Sequence, residues 1–98
     1  MKSLTISGQA KKDLRSIWTY TVKQWAVEQA DKYYNFIFAE IYKLQLGTNT
    51  GRLLDEGKEY FVTRVKSHYI VFRSLPAEIV IVSIIHVKRN MQRRLRML

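Results

Sequence analysis

Two histidines and three nearby cations are the residues of this 98-residue chain whose types could support catalysis. His68 opens one apolar run and His86 closes another, and Arg64, Lys66 and Arg73 lie close to the first histidine in sequence. Cleavage of RNA by its own 2′-hydroxyl needs a base, an acid and cations around the phosphate. If the chain cuts RNA, we expect Arg64, Arg73 and His86 to do so.

Each of these residues also has a simpler interpretation. His86 ends an apolar run, where a hydrogen-bonded structural histidine is the preferred interpretation. His68 follows a turn, where a solvated or capping role is expected. No Glu, Tyr or second His follows His86 to complete an acid–base pair. Arg64 and Arg73 could be charges that keep a strand soluble. We expect no metal ion and no cofactor.

The chain ends in "SIIHVKRNMQRRLRML", where residues 88–98 carry five Lys or Arg and no acid. Residues 60–98 carry eight Lys/Arg and one acid, whereas residues 1–59 carry nine and seven. A polyanionic or acidic partner is expected to approach the more cationic part. The alternative is a disordered basic end. We predict that four residues of this tail bind the target: Lys88, Arg89, Arg93 and Arg94.

Length and composition indicate one domain spanning residues 1–98. A chain this short buries only about 60–65% of its unfolded surface, and 47% hydrophobic residues are enough to build that core. The absence of cysteine excludes disulfides and thiolate chemistry. No stretch approaches the roughly 20 apolar residues of a membrane span, and no signal peptide is visible. We expect a cytoplasmic protein that binds neither a membrane nor a small molecule.

Residues 3–6 are rich in β-formers and predict a first strand, after which Ser7 is a plausible helix N-cap. A first helical stripe, expected to face the core, contains Leu14, Ile17, Trp18, Thr21 and Trp25. The opposite side is predicted to carry Lys11, Lys12, Asp13 and Lys23. A second stripe contains Ala30, Tyr34, Ile37, Ile41 and Leu44 and stops at Gly47. One helix over residues 9–46 would be about 57 Å long, so we predict a bend near residues 25–27.

From Tyr60 onward the apolar period changes to that of strands. The runs "YFVTRV", "HYIVFR" and "EIVIVSIIHV" are separated by short turns at residues 66–67 and 75–77. In the last run both the odd-numbered and the even-numbered positions are apolar. Since these positions face opposite sides of a sheet, this strand should be covered on both faces. The predicted class is α+β: a short N-terminal strand, an antiparallel helical hairpin, then a three-stranded antiparallel sheet.

This order of elements resembles the RelE/ParE toxin superfamily, and four motifs favour its ParE branch. They are the first-helix opening at residues 12–18, the helix junction at 24–34, the loop "GRLLDE" at 51–56, and "SHYIVFR" leading to "IIHVKRN". The resemblance covers nearly the whole chain. Four features depart from the pattern. Ala26 replaces a glycine at the junction, Gly47 and Thr48 stand where Asn-Pro is often found, Asn90 replaces the closing acid beside Arg89, and the tail "QRRLRML" is more basic than usual.

The resemblance implies the toxin of a type II toxin–antitoxin pair. A ParE-type toxin is expected to inhibit DNA gyrase, alone or with DNA bound to it, without acting as an enzyme. Its partner is expected to be a ParD-like antitoxin whose acidic, disordered C-terminal segment folds onto the domain. We predict that the antitoxin contacts Trp25, Tyr33, Arg64 and Arg73.

Two alternatives remain open from the sequence. The RelE branch shares the fold and is similar to ribosome-dependent mRNA interferases, which are endoribonucleases. Fold alone does not separate the two branches. A non-toxic basic nucleic-acid-binding module is the other alternative, because a net charge of +9 favours salt-dependent binding to polyanions.

Overall fold

The computed structural model describes every residue from Met1 to Leu98. The elements in chain order are β1 (Ser3–Ile6), α1 (Gly8–Gln24), α2 (Val27–Leu46), β2 (Arg52–Asp55), β3 (Tyr60–Val65), β4 (His68–Ser74), β5 (Glu78–His86) and α3 (Met91–Arg96). The class is α+β, as predicted. No helix combines the length and the apolar character that crossing a bilayer requires.

The helical hairpin begins, bends and ends where the sequence predicts. Ser7 Oγ accepts a hydrogen bond from the N–H of Ala10 at 3.1 Å, so Ser7 caps α1. The first helix stops at Gln24 and the second starts at Val27, which confirms the bend. Gly47 ends α2 at φ 81°, a left-handed conformation that glycine adopts without steric cost.

All five strands form one mixed sheet in the order β1-β5-β4-β3-β2. The three predicted antiparallel strands β3, β4 and β5 are present. The prediction was incomplete at both edges, because β1 joins the sheet in parallel with β5 and β2 pairs antiparallel with β3. The segment Arg52–Asp55 gives no strand signal, since it has only four residues and follows a turn-rich stretch.

The two helices of the hairpin cover one face of the sheet. The buried residues of this core are Ala10, Leu14, Ile17, Ile37, Ile41 and Leu44 from the helices and Val65, Ile70, Phe72, Ile79, Ile81 and Ile84 from the sheet. Trp18, predicted to be core, is only half-buried, and its ring meets the edge of Tyr34 at a centroid distance of 5.1 Å. The apolar stripes therefore form the core, except that Trp18 lies at its margin and Trp25 is exposed.

The strand β5 contains a bulge that changes which of its side chains face the helices. Phe72 pairs with Ile81 but its neighbour Val71 pairs with Ser83, so Val82 is an extra residue in β5. The apolar residues on either side of the bulge can therefore face the helices. Because β5 also has neighbours on both sides and apolar packing on both faces, the predicted double cover of this strand is confirmed.

The opposite face of the sheet is covered by part of the basic tail. Leu95 of α3 is buried against Val62, Val71 and Ile85. The side chain of Asn90 accepts a hydrogen bond from the N–H of residue 93 at 3.0 Å and so caps this helix. The alternative of a disordered end is therefore wrong for residues 91–96. An apolar residue within a run of arginines holds them on the domain.

A substitution at Gly51 tests how tightly the edge strand β2 is packed. Gly51 has φ 65°, and an added Cβ would lie 2.7 Å from Phe72 Cζ and 2.9 Å from the carbonyl oxygen of Val62. Gly51→Ala should lower the free energy of unfolding by about 2–5 kcal/mol, because a left-handed backbone costs about 1–2 kcal/mol and overpacking about 1–3 kcal/mol. Urea denaturation measures the loss.

The matched control is Gly8→Ala at the start of α1. A Cβ at this position meets no atom within 4 Å. This variant should change the free energy of unfolding by less than about 1 kcal/mol, in the stabilising direction. Equal losses in the two variants would show that Gly51 is not a close-packed position.

Candidate functional site

A buried carboxylate joins α1 to the edge of the sheet. Asp13, predicted to lie on the exposed side of α1, is only 7% exposed, so that prediction is wrong. Its Oδ2 atom accepts hydrogen bonds from Ser83 Oγ at 2.8 Å and from the backbone N–H of Ile84 at 2.9 Å. Its Oδ1 atom accepts from Arg94 Nη1 at 2.8 Å and from Gln9 Nε2 at 3.0 Å.

The position of this carboxylate follows from where β1 ends. The parallel pairing of β1 with β5 stops at Ile81, so the next part of β5 has no strand on that side. The N–H of Ile84 therefore has no strand carbonyl to bond there, and Asp13 takes that place. Burial by itself would raise the pKa of Asp13, but the hydrogen bonds, led by the one from Arg94, bring it below its ordinary value.

A groove of about 790 Å³ opens beside this cluster, between the helical hairpin and the end of the sheet. Its apolar and aromatic wall includes Ile17, Tyr20, Trp25, Tyr33 and Ile84. Its polar wall includes Asp13, Ser16, His68, His86, Arg89 and Arg94. Because Trp25 is 74% exposed and Tyr20 is 65% exposed, the groove offers large aromatic surfaces to a partner.

The two histidines meet at one end of the groove. His68 and His86 are paired residues of β4 and β5, and their rings pack edge-to-face at 5.0 Å. The hydroxyl of Tyr33 lies 2.6 Å from His68 Nδ1 and accepts a hydrogen bond from the N–H of Ser67 at 3.0 Å. His86 Nδ1 accepts from the N–H of Lys88 at 3.1 Å. Both rings are therefore already engaged with the protein.

Burial holds His68 in its neutral form. Its pKa is lowered to about 4, first by burial and then by the neighbouring His86. Burial also raises the pKa of Tyr33, so this hydroxyl keeps its proton and can donate it in a hydrogen bond to His68 Nδ1. At neutral pH this arrangement suits a fixed structural contact. As a neutral ring, His68 adds no positive charge to this end of the groove.

The three residues expected to cut RNA do not converge. His86 lies on the helix-covered face, where its partner His68 contacts the hairpin. Arg64 and Arg73 alternate with residues of the helix-covered face and so point to the opposite face. On that face Arg64 lies over the Tyr69 ring, and Arg73 forms an ion pair with Glu59 at 2.9 Å.

The same division separates the residues expected to bind an antitoxin. Trp25 and Tyr33 both line the groove. Arg64 and Arg73 lie across the sheet from it, so one short segment in the groove does not reach all four. Their proposed role requires a partner that also passes over the face occupied by α3.

The four cations expected to bind a target occupy two kinds of position. Lys88, Arg89 and Arg93 are exposed, and Arg89 also lines the groove. Arg94 is half-buried in its ion pair with Asp13. The sequence places all four beyond the core, whereas the structure ties Arg94 to the buried carboxylate of Asp13. Asp13 itself could have been found from the sequence, since it lies between Ala10, Leu14 and Ile17 on the apolar side of α1.

Comparison with known proteins identifies the family. The model of the family described as ParE toxin of type II toxin-antitoxin system, parDE, matches residues 4–91. The chain belongs to the ParE toxin family. The Toxin ParE1 of Caulobacter vibrioides is 28% identical over 90 residues, which cover 92% of this chain and 94% of that protein.

A solved structure from a ParDE system has the same fold. A chain from the chromosomal ParDE TA system of P. aeruginosa superposes with a TM-score of 0.75 at 26% identity, covering 90% of this chain and 98% of that one. The resemblance found in the sequence is therefore confirmed at the level of the family. This chain is a ParE toxin of the type II toxin–antitoxin class.

Removing the cation that neutralises Asp13 should destabilise this ParE domain. Arg94→Gln should lower the free energy of unfolding by about 2–4 kcal/mol, because the buried carboxylate would lose its counter-charge. Arg93→Gln removes the same charge from an exposed neighbour and should cost less than about 0.5 kcal/mol. Denaturant unfolding of both variants provides the comparison. Similar small losses would mean that the ion pair is dispensable.

The neutral state of His68 predicts an acid-sensitive stability. Folded His68 takes up a proton only near pH 4, whereas an unfolded histidine does so near 6.5. Between these values the unfolded chain binds more protons, so stability should fall as the pH drops from about 6.5 to 4, by at most ~3 kcal/mol. The contribution of Asp13 is lost only below its ordinary pKa of 3.8, outside this window.

Thermal unfolding between pH 7 and pH 4 measures this dependence. The His68→Gln variant cannot take up the proton, so its melting temperature should change less over this range than that of the wild type. Parallel curves for the two proteins would contradict a neutral, buried His68.

Proposed function

We propose that this ParE-family toxin acts on DNA gyrase by binding to it, without a chemical step, and that a ParD-type antitoxin keeps it inactive. The match of residues 4–91 to the ParE toxin family is the observation that carries the proposal. The solved relative from P. aeruginosa belongs to a ParDE system, which supports a ParD-type partner here. Such a toxin would act in the cytoplasm, where bacterial gyrase works.

The distribution of polar groups supports binding over RNA cleavage. General acid–base chemistry requires the acid or base to lie within about 3 Å of the heavy atom that gains or loses the proton. His86 lies on one face of the sheet, while Arg64 and Arg73 lie on the other. His68, the second histidine, is neutral and bonded to Tyr33. A phosphate at His86 would therefore not be held by these two arginines.

The groove supports the proposed antitoxin contact. Its exposed aromatic residues Trp25 and Tyr20 offer anchors for apolar side chains, and Arg89 offers a cation at the rim. An acidic disordered segment can fold onto such a surface, because burial of its apolar residues offsets the entropy that it loses. The net charge of +9 would accelerate the encounter with an acidic partner.

The proposed gyrase-binding cations Lys88, Arg89 and Arg93 lie on or next to α3, which is fixed to the domain. Leu95 packs α3 onto the sheet, and Arg94 ties the same helix to Asp13 in α1. A cation held on an ordered element loses less entropy when it binds than a cation on a flexible tail. We therefore propose that Lys88, Arg89 and Arg93 bind the target, and that Arg94 holds in place the helix next to them.

Purified toxin tests the proposal directly. It should inhibit supercoiling by gyrase in a plasmid assay and leave mRNA on ribosomes intact. A ParD-type antitoxin added in equimolar amount should restore supercoiling. Codon-dependent mRNA cleavage with unaffected supercoiling would favour the endoribonuclease alternative. A folded protein inactive in both assays would favour the non-toxic nucleic-acid-binding alternative.

A charge-reversal variant locates the contact. Lys88→Glu, Arg89→Glu and Arg93→Glu combined should abolish gyrase inhibition while the fold survives, because the ion pair of Arg94 is left intact. The control reverses Lys32, Lys43 and Arg52, three exposed cations that do not belong to the tail, and alters the net charge equally. Inhibition lost to the same extent in both proteins would assign the effect to net charge alone.

A further inference from the structure

The exposed side of α1 carries cations without any acidic counterpart. A shallow groove of about 570 Å³ runs along this helix and is lined by Lys12, Arg15, Ser16, Thr19, Tyr20 and Lys23. The three cations of this set, here called the α1 cations, are all exposed and form none of the salt bridges of the structure. Their positive charge is therefore available to a ligand.

The charge balance of residues 1–59 gives no indication of the cationic surface on α1. Residues 1–59 carry nine cations and seven acids, which suggests a nearly neutral half. Asp13 is the only acid in α1, and it is buried and paired with Arg94. The exposed side of α1 consequently carries only positive charges of its own. It is a second cationic surface besides the C-terminal tail.

The two cationic surfaces are continuous. Ser16 and Tyr20 line both the shallow α1 groove and the larger groove beside the sheet. The larger groove also contains Arg89 at the start of the basic tail. A path of cations and hydroxyl groups thus runs from the α1 cations past Ser16 and Tyr20 to Arg89.

We propose that the α1 cations bind the phosphate backbone of duplex DNA, independently of base sequence. Lys12 and Lys23 are eleven residues apart on α1, or about 16 Å along the helix axis, comparable with the rise of about five base pairs. Arg15 lies between them and can take two phosphate oxygens at once. The hydroxyls of Ser16 and Thr19 supply further donors.

The lining of the α1 groove favours a duplex over other polyanions. A peptide that folds on binding needs apolar sockets, and Tyr20 is the only large apolar side chain in this groove. A single strand is held by a row of stacked aromatics, which one tyrosine does not provide. Insertion into an anionic membrane needs an exposed apolar face, whereas the apolar side of α1 is buried in the core.

The proposal does not depend on gyrase. It concerns contact of the isolated toxin with DNA, so it can fail while gyrase inhibition holds, and the reverse is also true. If both hold, the α1 cations would add a DNA contact to the proposed enzyme contact of the C-terminal cations.

Binding of a fluorescent 20-base-pair duplex of random sequence, followed by anisotropy from 50 to 200 mM salt, tests the proposal. Wild-type affinity should fall steeply with salt. Neutralising the α1 cations together (Lys12→Gln, Arg15→Gln and Lys23→Gln) should weaken binding at 50 mM salt at least about tenfold. It should also reduce the log–log salt slope by about 3, since each lost phosphate contact removes about 0.9.

A matched variant separates location from net charge. Lys32→Gln, Lys43→Gln and Arg52→Gln remove the same charge from α2 and from β2, the sheet edge opposite β1. This protein should keep most of the wild-type affinity and slope. Equal weakening of the two triple variants would overturn the proposal in favour of diffuse attraction.

Additional measurements test other polyanionic ligands and check that each variant is folded. Stronger binding to a single strand of equal length, or binding to anionic phosphatidylserine vesicles without duplex binding, would also overturn it. Circular dichroism checks the fold of each variant. If the triple variant does not fold, the single variants Lys12→Gln and Lys23→Gln replace it. Each should lower the slope by about 1, and unchanged slopes in both would reject the assignment.

Discussion

The buried carboxylate of Asp13 connects three parts of the chain that are far apart in sequence. It lies in α1, bonds the backbone and side chain of β5, and pairs with Arg94 of α3. A carboxylate removed from water costs several kcal/mol unless charge and hydrogen bonds compensate it. Here four donors provide that compensation, and in return the carboxylate satisfies the N–H of Ile84 at the point where β1 no longer pairs with β5.

This cluster also determines how charge is displayed on the surface. Arg94 is held by Asp13, which together with Leu95 fixes α3 on the sheet and positions the remaining arginines. In the same contact, α1 has its only acid buried, so its exposed side is left positive. One ion pair thus stabilises the domain and divides its cations into a structural residue and residues free to bind a partner.

The sheet separates groups that lie close together in sequence. His68 and His86 meet on the helix-covered face, and His68 is kept neutral there by burial. Arg64 and Arg73 are only a few residues from His68 but point to the other face, because successive side chains of a strand alternate. Proximity in sequence therefore suggests a catalytic cluster that the sheet does not assemble. What remains beside the histidines is a groove suited to binding.

The sequence alone determined the class, the helical hairpin with its caps, three of the strands and the family, because these depend on apolar period, turn residues and local motifs. The edge strand Arg52–Asp55, the helix Met91–Arg96 and the hydrogen-bond partners of Asp13 were decided only by the tertiary structure. A four-residue strand is stabilised by its neighbour, and one buried leucine docks a short arginine-rich helix that has too few residues to be stable alone. The role of Arg94 was likewise undetermined, since a cation in a basic run acquires its partner only when folding brings Asp13, 81 residues away, within 2.8 Å.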